Sequence, residues 1–294
     1  MKEIAVISGK GGTGKTSLVA SFASLAASGW GLVLADCDVD APDLHLLLHP
    51  EVRETHDFRA SRRAFIDAGK CTGCGLCEAR CRFGAVRGTQ IDPLSCEGCG
   101  VCHWVCPVQA VTMREELSGH WYVSETRYGP MVHARLEPGE ENSGRLVTVV
   151  RRRARELAEE RDARLLITDG PPGVGCPVIS TVGGAGLAVV VTEPTLSGIH
   201  DLVRVLDVCR HFGVAAVVCI NRYDLHPAGA REIEQECQAR GVPLAGCIPY
   251  DPVFTEAIVH GKPLVEFADG PVSHAVMEVW REVTRFLESG GPRG

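Results

Sequence analysis

A chain of 294 residues holds enough material for one large or two modest domains with a substantial core. Its formal charge of -7 and isoelectric point near 5.9 argue against a broad nucleic-acid surface. No apolar run reaches a membrane span, so membrane insertion is not expected; the chain is expected to be cytoplasmic, and there fourteen cysteines point to metal or redox chemistry ahead of disulfides.

Ile4-Ala5-Val6-Ile7 reads as a buried parallel strand. It runs into Gly9-Lys10-Gly11-Gly12-Thr13-Gly14-Lys15-Thr16, which fits G-x-x-x-x-G-K-[ST], the phosphate-binding loop in which glycines let backbone N–H groups turn inward around phosphate oxygens. Ser17 to Ala27 reads as the helix whose N-terminal dipole faces those phosphates. ATP and Mg2+ are therefore expected, with Lys15 on the β- and γ-phosphates, the Thr16 hydroxyl on magnesium, and Ser17 closing the loop. Gly31 to Asp36 is a second short strand, ending in Asp36-Cys37-Asp38-Val39-Asp40, where carboxylates beside a phosphate loop are candidates for magnesium and water. Asp40 and Asp43 fit caps of a helix beginning near Pro42.

After His49-Pro50 the strand–helix alternation breaks. Cys71-Thr72-Gly73-Cys74-Gly75-Leu76-Cys77-Glu78-Ala79-Arg80-Cys81 is repeated 25 residues later, from Cys96 through Cys99 and Cys102 to Cys106, with Ala85-Val86 and Ala110-Val111 also in phase. C-x-x-C-x-x-C-x-x-x-C written twice resembles the bacterial two-cluster ferredoxins, in which three cysteines of one run and the last of the other complete each cubane. The resemblance implies two [4Fe-4S] clusters, one on Cys71, Cys74, Cys77 and Cys106, the other on Cys96, Cys99, Cys102 and Cys81. Paired cysteine knuckles also build zinc sites, but two zinc ions would not need a crossed fourth ligand. Pro107 follows the second run as the ferredoxin pattern has it, whereas Arg82 follows the first. His103, Trp104, His120, Trp121 and Tyr122 read as packing aromatics.

From about Arg127 the parent pattern resumes. Met131 to Leu136 reads as a strand, and Ser143 to Arg161 as an amphipathic helix begun by Asn142 or Ser143. Its charge run Arg151 to Arg155 reads as a solvated face with Glu156, Glu159 and Glu160. Arg164 to Asp169 is a buried strand delivering a carboxylate beside the phosphate loop, the Walker B arrangement, and Gly170 to Gly175 suits a switch loop. Further strands at Gly186 to Val191, Ala215 to Ile220 and Leu244 to Ile248 alternate with helices near Ser197 to His211 and Ala228 to Arg240, implying a mostly parallel, doubly wound sheet. Cys209, Cys219, Cys237 and Cys247 lack ligand spacing. A last helix, about Val272 to Leu287, has helical apolar spacing and no basic face, so it reads as packed on the sheet rather than lying on a membrane, with Gly290 to Gly294 a frayed end.

Lys10 with the rest of Lys-Gly-Gly-Thr-Gly-Lys-Thr, the Asp36 to Asp40 segment and Asp169-Gly170-Pro171-Pro172-Gly173 resemble the MinD, ParA and nitrogenase iron protein group of ATPases. That resemblance implies that Lys10 reaches across a dimer to the partner's nucleotide, that Asp38 orients or deprotonates the attacking water with Asp36 in support, and that Asn221-Arg222 and Pro249-Tyr250-Asp251 wall the adenine. Cys176 falls where the nitrogenase iron protein carries a cluster ligand; a buried apolar thiol is an equal alternative. The implied organisation is a discontinuous ATPase domain, 1–55 and 127–294, with a ferredoxin-like insert, 56–126. The implied function is a nucleotide-switched homodimer, or heterodimer with a paralogue, gating electron transfer to a partner protein or metal-cluster assembly in it. Alternatives are a non-redox positioning ATPase, or an iron–sulphur scaffold or carrier with weak ATPase activity.

Overall fold

The computed structural model describes residues 1–27, 29–140 and 142–289; the expected frayed end at 290–294 lies outside the described residues. In chain order the elements are β1 (Lys2–Ser8), α1 (Lys15–Ala27), β2 (Leu32–Asp36), α2 (Leu44–Leu48), β3 (Glu51–Ile66), α3 (Leu76–Arg80), β4 (Val86–Arg87), β5 (Gln90–Ile91), α4 (Val101–Trp104), β6 (Val111–Thr126) and β7 (Gly129–Leu136). There follow α5 (Ser143–Glu160), β8 (Leu165–Pro172), α6 (Cys176–Val182), β9 (Leu187–Thr192), α7 (Leu196–His211), β10 (Ala216–Asn221), α8 (Pro227–Arg240), β11 (Leu244–Ile248), α9 (Val253–Val259), α10 (Leu264–Phe267) and α11 (Pro271–Ser289).

Two compact units emerge. The first comprises Met1–His56, Trp121–Arg135 and the chain from Ser143 onward; the second comprises Asp57–His120 and Leu136–Asn142. Relative to the expected boundaries at 55/56 and 126/127, residues 56 and 121–126 fall in the first unit and 136–142 in the second. The chain therefore passes from one unit to the other at four junctions.

In the first unit β11, β10, β9, β1, β8, β2 and β7 are adjacent in that order, and every neighbouring pair is parallel. The alternation of β1 decides the two layers. Ile4 and Val6 pack with Leu18, Phe22 and Trp280 on one face, while Ala5 and Ile7 pack with Val205, Leu206 and Ile233 on the other. Helix α11 buries Val272, Val276, Val279 and Val283 in the first layer, as its spacing predicts. Among the described residues no helix is long and apolar enough to cross a membrane.

Three expectations change. The run Arg151 to Arg155 is not wholly solvated: Arg151 is buried, its guanidinium pairs with the buried carboxylate of Glu3, and it also donates to the carbonyls of Ser180 and Gly183 at the end of α6. Arg155 takes the second Glu3 oxygen at 2.7 Å. Only Arg152 and Arg153 meet the acidic neighbours, at Glu156 and Glu160. Secondly, α2 starts at Leu44 rather than near Pro42, and Asp43 at its N-cap makes no side-chain capping bond. Thirdly, β3 and β6, sixteen residues each, occupy sequence that carries no strand pattern.

The second unit has a small core of Ala64, Ile66, Val86, Cys102 and Val111, against which Cys71, Cys77, Cys81, Cys96 and Cys106 pack. The short helices α3 and α4 touch, and β4 pairs with β5 as an antiparallel hairpin. Trp104 is not a packing residue: it is 83 % exposed.

Candidate functional site

The phosphate loop closes the C-terminal end of β1. Gly12 and Gly14 sit at φ 78° and 90°, a left-handed backbone that favours glycine. At Gly14 a Cβ would meet the Asn221 amide nitrogen at 2.6 Å; at Gly11 and Gly12 it would meet nothing within 4 Å, so the concavity is open where phosphates enter. Helix α1 starts at Lys15, two residues ahead of the expected Ser17, which places Lys15 and Thr16 in its first turn with N–H groups unspent by the helix. Lys15 and Ser17 are buried and Thr16 half-buried. Thr13 Oγ1 is buried without a hydrogen-bond partner.

Asp36 and Asp169 are register partners on the adjacent parallel strands β2 and β8, beside one another at the strand ends. Both are buried, and neither oxygen of Asp169, nor Oδ2 of Asp36, has a hydrogen-bond partner. Burial, followed by the neighbouring Asp169, pushes the Asp36 carboxyl well above the usual range. Burial lifts Asp169 to about 7, against the pull of Lys15 and of the Thr16 hydroxyl, which is close without being seated in bonding geometry. Asp38, half-buried, is raised by burial and lowered by Lys15. Buried carboxylates with empty lone pairs beside a lysine and a hydroxyl are an unfinished ligand set, and the chemistry fits a hydrated Mg2+ carried by a nucleotide.

The remaining predicted contacts are distributed unevenly. Lys10 lies at the loop's start, its ammonium 3.2 Å from Glu193 Oε2 and 3.2 Å from Thr195 Oγ1. Gly9 presses against α7, where a Cβ would meet Asp201 at 2.3 Å. Asn221 donates its amide to Thr13 O at 2.8 Å and accepts from the Arg222 N–H, so here it braces the phosphate loop. Arg222, in the left-handed region at φ 54°, pairs with Glu193 Oε1 at 2.5 Å. Tyr250 is half-exposed and its N–H donates to Asp224, linking the two segments expected at the base; Asp251 accepts from Val253 N–H, and Pro249 precedes them in the same loop. Cys176 is exposed at the first residue of α6, so its reading as a buried apolar thiol fails. Cys209, Cys219 and Cys237 are buried, burial pushing Cys209 to about 12 and Cys237 to about 11. Glu193 was not legible in sequence, because nothing local distinguishes it from a helix-capping acid.

In the second unit two cavities are each rimmed by four cysteines. One is lined by Cys71, Cys74, Cys77 and Cys106, the other by Cys81, Cys96, Cys99 and Cys102. Each mixes three thiols of one run with the last thiol of the other. The wrapping loops carry glycines in the left-handed region, Gly73 and Gly75 in one and Gly98 and Gly100 in the other. Burial raises Cys77 and Cys102. For Cys81 and Cys106 burial is outweighed by backbone N–H groups of residues 83–86 and 108–111, so both thiols are lowered; Ala110 N–H reaches Cys106 Sγ at 3.2 Å. Thiolate-favouring N–H groups on four-thiol rims fit iron–sulphur clusters. Among the described residues no group of three or more His, Cys, Asp or Glu is drawn together as around one metal ion. Arg82 folds over Phe83, at 5.2 Å from the ring, and Phe83 lines the second cavity.

Comparison with known proteins bears on this geometry. An uncharacterised protein of Methanocaldococcus jannaschii is 32 % identical over 97 % of this chain and 97 % of its own length. An iron–sulphur cluster carrier protein of Pyrococcus horikoshii is 24 % identical over 97 % of this chain and 86 % of its own. The septum site-determining protein MinD of Pyrococcus horikoshii, solved with Mg-ADP, superposes with a TM-score of 0.60 at 19 % identity over 99 % of both chains, a likeness of fold. The family model for the CobQ/CobB/MinD/ParA nucleotide binding domain matches residues 4–264, which include the phosphate loop, Asp38, Asp169 and Asn221. With the loop, the paired strand-end carboxylates and the parallel sheet in place, the chain belongs to this family of MinD/ParA-like P-loop ATPases.

Proposed function

We propose that this ATPase is a nucleotide-gated iron–sulphur protein, with ATP and Mg2+ bound in the first unit and two [4Fe-4S] clusters in the second, working in the cytoplasm where its thiols stay reduced. The observation that carries the reading is the pair of four-cysteine cavities with crossed membership. On this reading Lys15 and the loop N–H groups would hold the phosphates, the Thr16 hydroxyl would hold magnesium with Asp169 acting through water, and Asp38 would orient the attacking water with Asp36 in support. Lys10 completes the site of a second protomer, either an identical copy or a paralogue, so ATP closes a dimer and hydrolysis releases it. Magnesium supplies charge neutralisation for phosphoryl transfer, and the clusters supply one-electron chemistry. The output is electron delivery to a partner protein or the building of a metal cluster in it.

A second reading has its own support: the iron–sulphur cluster carrier protein aligns with nearly the whole chain, which favours cluster carriage over electron delivery. Anaerobic reconstitution should give about eight irons and eight sulphides per chain, the content of two cubanes. Stoichiometric zinc without a reducible chromophore would overturn the cluster assignment. Incubation with an apo-ferredoxin acceptor then separates the readings. Iron leaving this chain for the apo-acceptor upon ATP hydrolysis indicates carriage, and iron retained while the chain, pre-reduced with dithionite, passes its electron to an oxidised, cluster-loaded ferredoxin in a parallel incubation indicates electron delivery. Lys15→Ala should lose tight ATP binding in either case.

A further inference from the structure

Glu193 lies directly after β9, with its side chain only 10 % exposed, and it receives one cation on each oxygen. Lys10, from the phosphate loop, takes Oε2; Arg222, from the turn after β10, takes Oε1. Thr195, the N-cap of α7, adds its hydroxyl to Lys10 while accepting from Gly198 N–H at 3.0 Å. The lysine is thus seated inside its own protomer, on a carboxylate and a hydroxyl, rather than extended into solvent.

The double pairing has a physical consequence. A carboxylate this deeply placed resists losing its counter-charge, because an unpaired charge would be stranded away from water. With Arg222 on the other oxygen, Lys10 can leave and Glu193 remains neutralised. A polyphosphate brings competing negative charge, so the lysine has an alternative partner whenever nucleotide is bound nearby.

We propose that Glu193 is a positioning residue that parks Lys10 in the nucleotide-free protomer, and that Arg222 is the counter-charge which makes the lysine's release tolerable. What Lys10 does after release, completing a second protomer's site, rests on the dimer reading above; the parking does not. Glu193 therefore opposes dimer formation until nucleotide outcompetes it.

The test uses the full-length protein and two readouts. In the first, acetylation by an amine-reactive ester is followed at Lys10 by mass spectrometry, without nucleotide, with exposed Lys262 as the internal reference. Glu193→Gln should speed labelling of Lys10 about fivefold, the weight of one partly exposed ion pair, with Lys262 unchanged. Arg222→Gln, which leaves Glu193 in place, should keep Lys10 protected. An unchanged Lys10 rate in Glu193→Gln overturns the parking. Should that variant fail to fold, Glu193→Asp retains the charge at shorter reach and should raise labelling by a smaller factor; a rate equal to wild type again overturns it. In the second readout, sedimentation with Mg2+ and a non-hydrolysable ATP analogue, Glu193→Gln should dimerise about fivefold more tightly than wild type, an effect absent when Lys10→Ala is also present. A weaker dimer in Glu193→Gln overturns the opposition to dimerisation. Absence of any dimer in wild type sinks the dimer reading, while the labelling result still decides the parking.

Discussion

Asp36 and Asp169 are a costly pair to bury, since two carboxylates side by side repel one another and, apart from the Asp38 N–H on Asp36 Oδ1, their oxygens have no hydrogen-bond partner. Their environment makes sense for a site finished by a cation, and the sequence announces both because each ends a predicted strand. Other buried charges were illegible there. Arg151 reads as one of five residues on a solvated face, and only the packing of α5 against α6 and β2 turns it inward onto Glu3, 148 residues away. His133 makes the same point about titration. It pairs in register with Asp36, bonds the Ser124 hydroxyl at 2.8 Å and stacks on Tyr122, and burial, with a smaller push from His45, lowers it to about 4. A depressed histidine pKa means that the unfolded chain takes up the proton first. Its contribution is fully present above the ordinary value near 6.5 and is lost as pH falls from there towards 4. Between pH 6.5 and 4.5 the loss should be roughly 2–3 kcal/mol. Urea unfolding of wild type and His133→Gln across that range isolates it: the stability difference should move in the variant's favour on acidification, and a pH-independent difference would mean that His133 titrates normally.

At the scale of elements, the two cysteine loops look equivalent but are seated differently. Gly98 is at φ 63° and a Cβ there would meet the Arg62 carbonyl oxygen at 2.1 Å, backbone against backbone. Its repeat counterpart Gly73 has nothing within 4 Å and carries only the left-handed strain of φ 71°, about 1–2 kcal/mol for alanine. Gly98→Ala should therefore lose the second-run cluster, dropping reconstituted iron to about four per chain, whereas Gly73→Ala should hold about eight. Equal iron in the two variants would show that the loop tolerates what its packing forbids. The cysteine repeat was readable because metal-ligand chemistry fixes residue type and spacing, and the phosphate loop because strand, turn and helix agree in one continuous stretch, Ile4 to Ala27. β3 and β6 were not. From Glu51 to Arg59 almost every side chain is exposed, with charged and small polar residues in place of an apolar face, so period-two patterning has nothing to act on. Such strands are specified by backbone pairing and by neighbours distant in sequence, which the sequence read alone does not contain.

On the scale of the whole molecule, the proposed nucleotide in the first unit and the proposed clusters in the second have one route of mutual influence in the chain that passes between the units. β3 leaves the first unit eighteen residues after Asp38, β6 returns, and residues 136–142 leave once more before α5 begins. The start of α5 also meets the switch segment within the first unit: a Cβ on Gly144 would lie 3.1 Å from that of Cys176, which opens α6 behind Gly173-Val174-Gly175. Since Arg151 fixes the far end of α6 through the carbonyls of Ser180 and Gly183, movement of the switch loop would displace the Cys176 end, against Gly144, two residues past the 136–142 segment. If that displacement changes cluster energetics, nucleotide binding and reduction are linked, each altering the other's equilibrium by one factor. A coupling of about 1.4 kcal/mol is tenfold in nucleotide affinity and about 60 mV in a one-electron potential. Redox titration of the reconstituted protein without nucleotide, with ADP and with a non-hydrolysable ATP analogue should show a shift of that order for at least one cluster. Cys176→Gly should preserve the potentials without nucleotide while shrinking the shift, because it removes the Cβ that faces Gly144 and no ligand of either four-cysteine rim. Potentials identical in all three nucleotide states would reject linkage through the clusters themselves, and a full-sized shift in Cys176→Gly would take this contact out of the path.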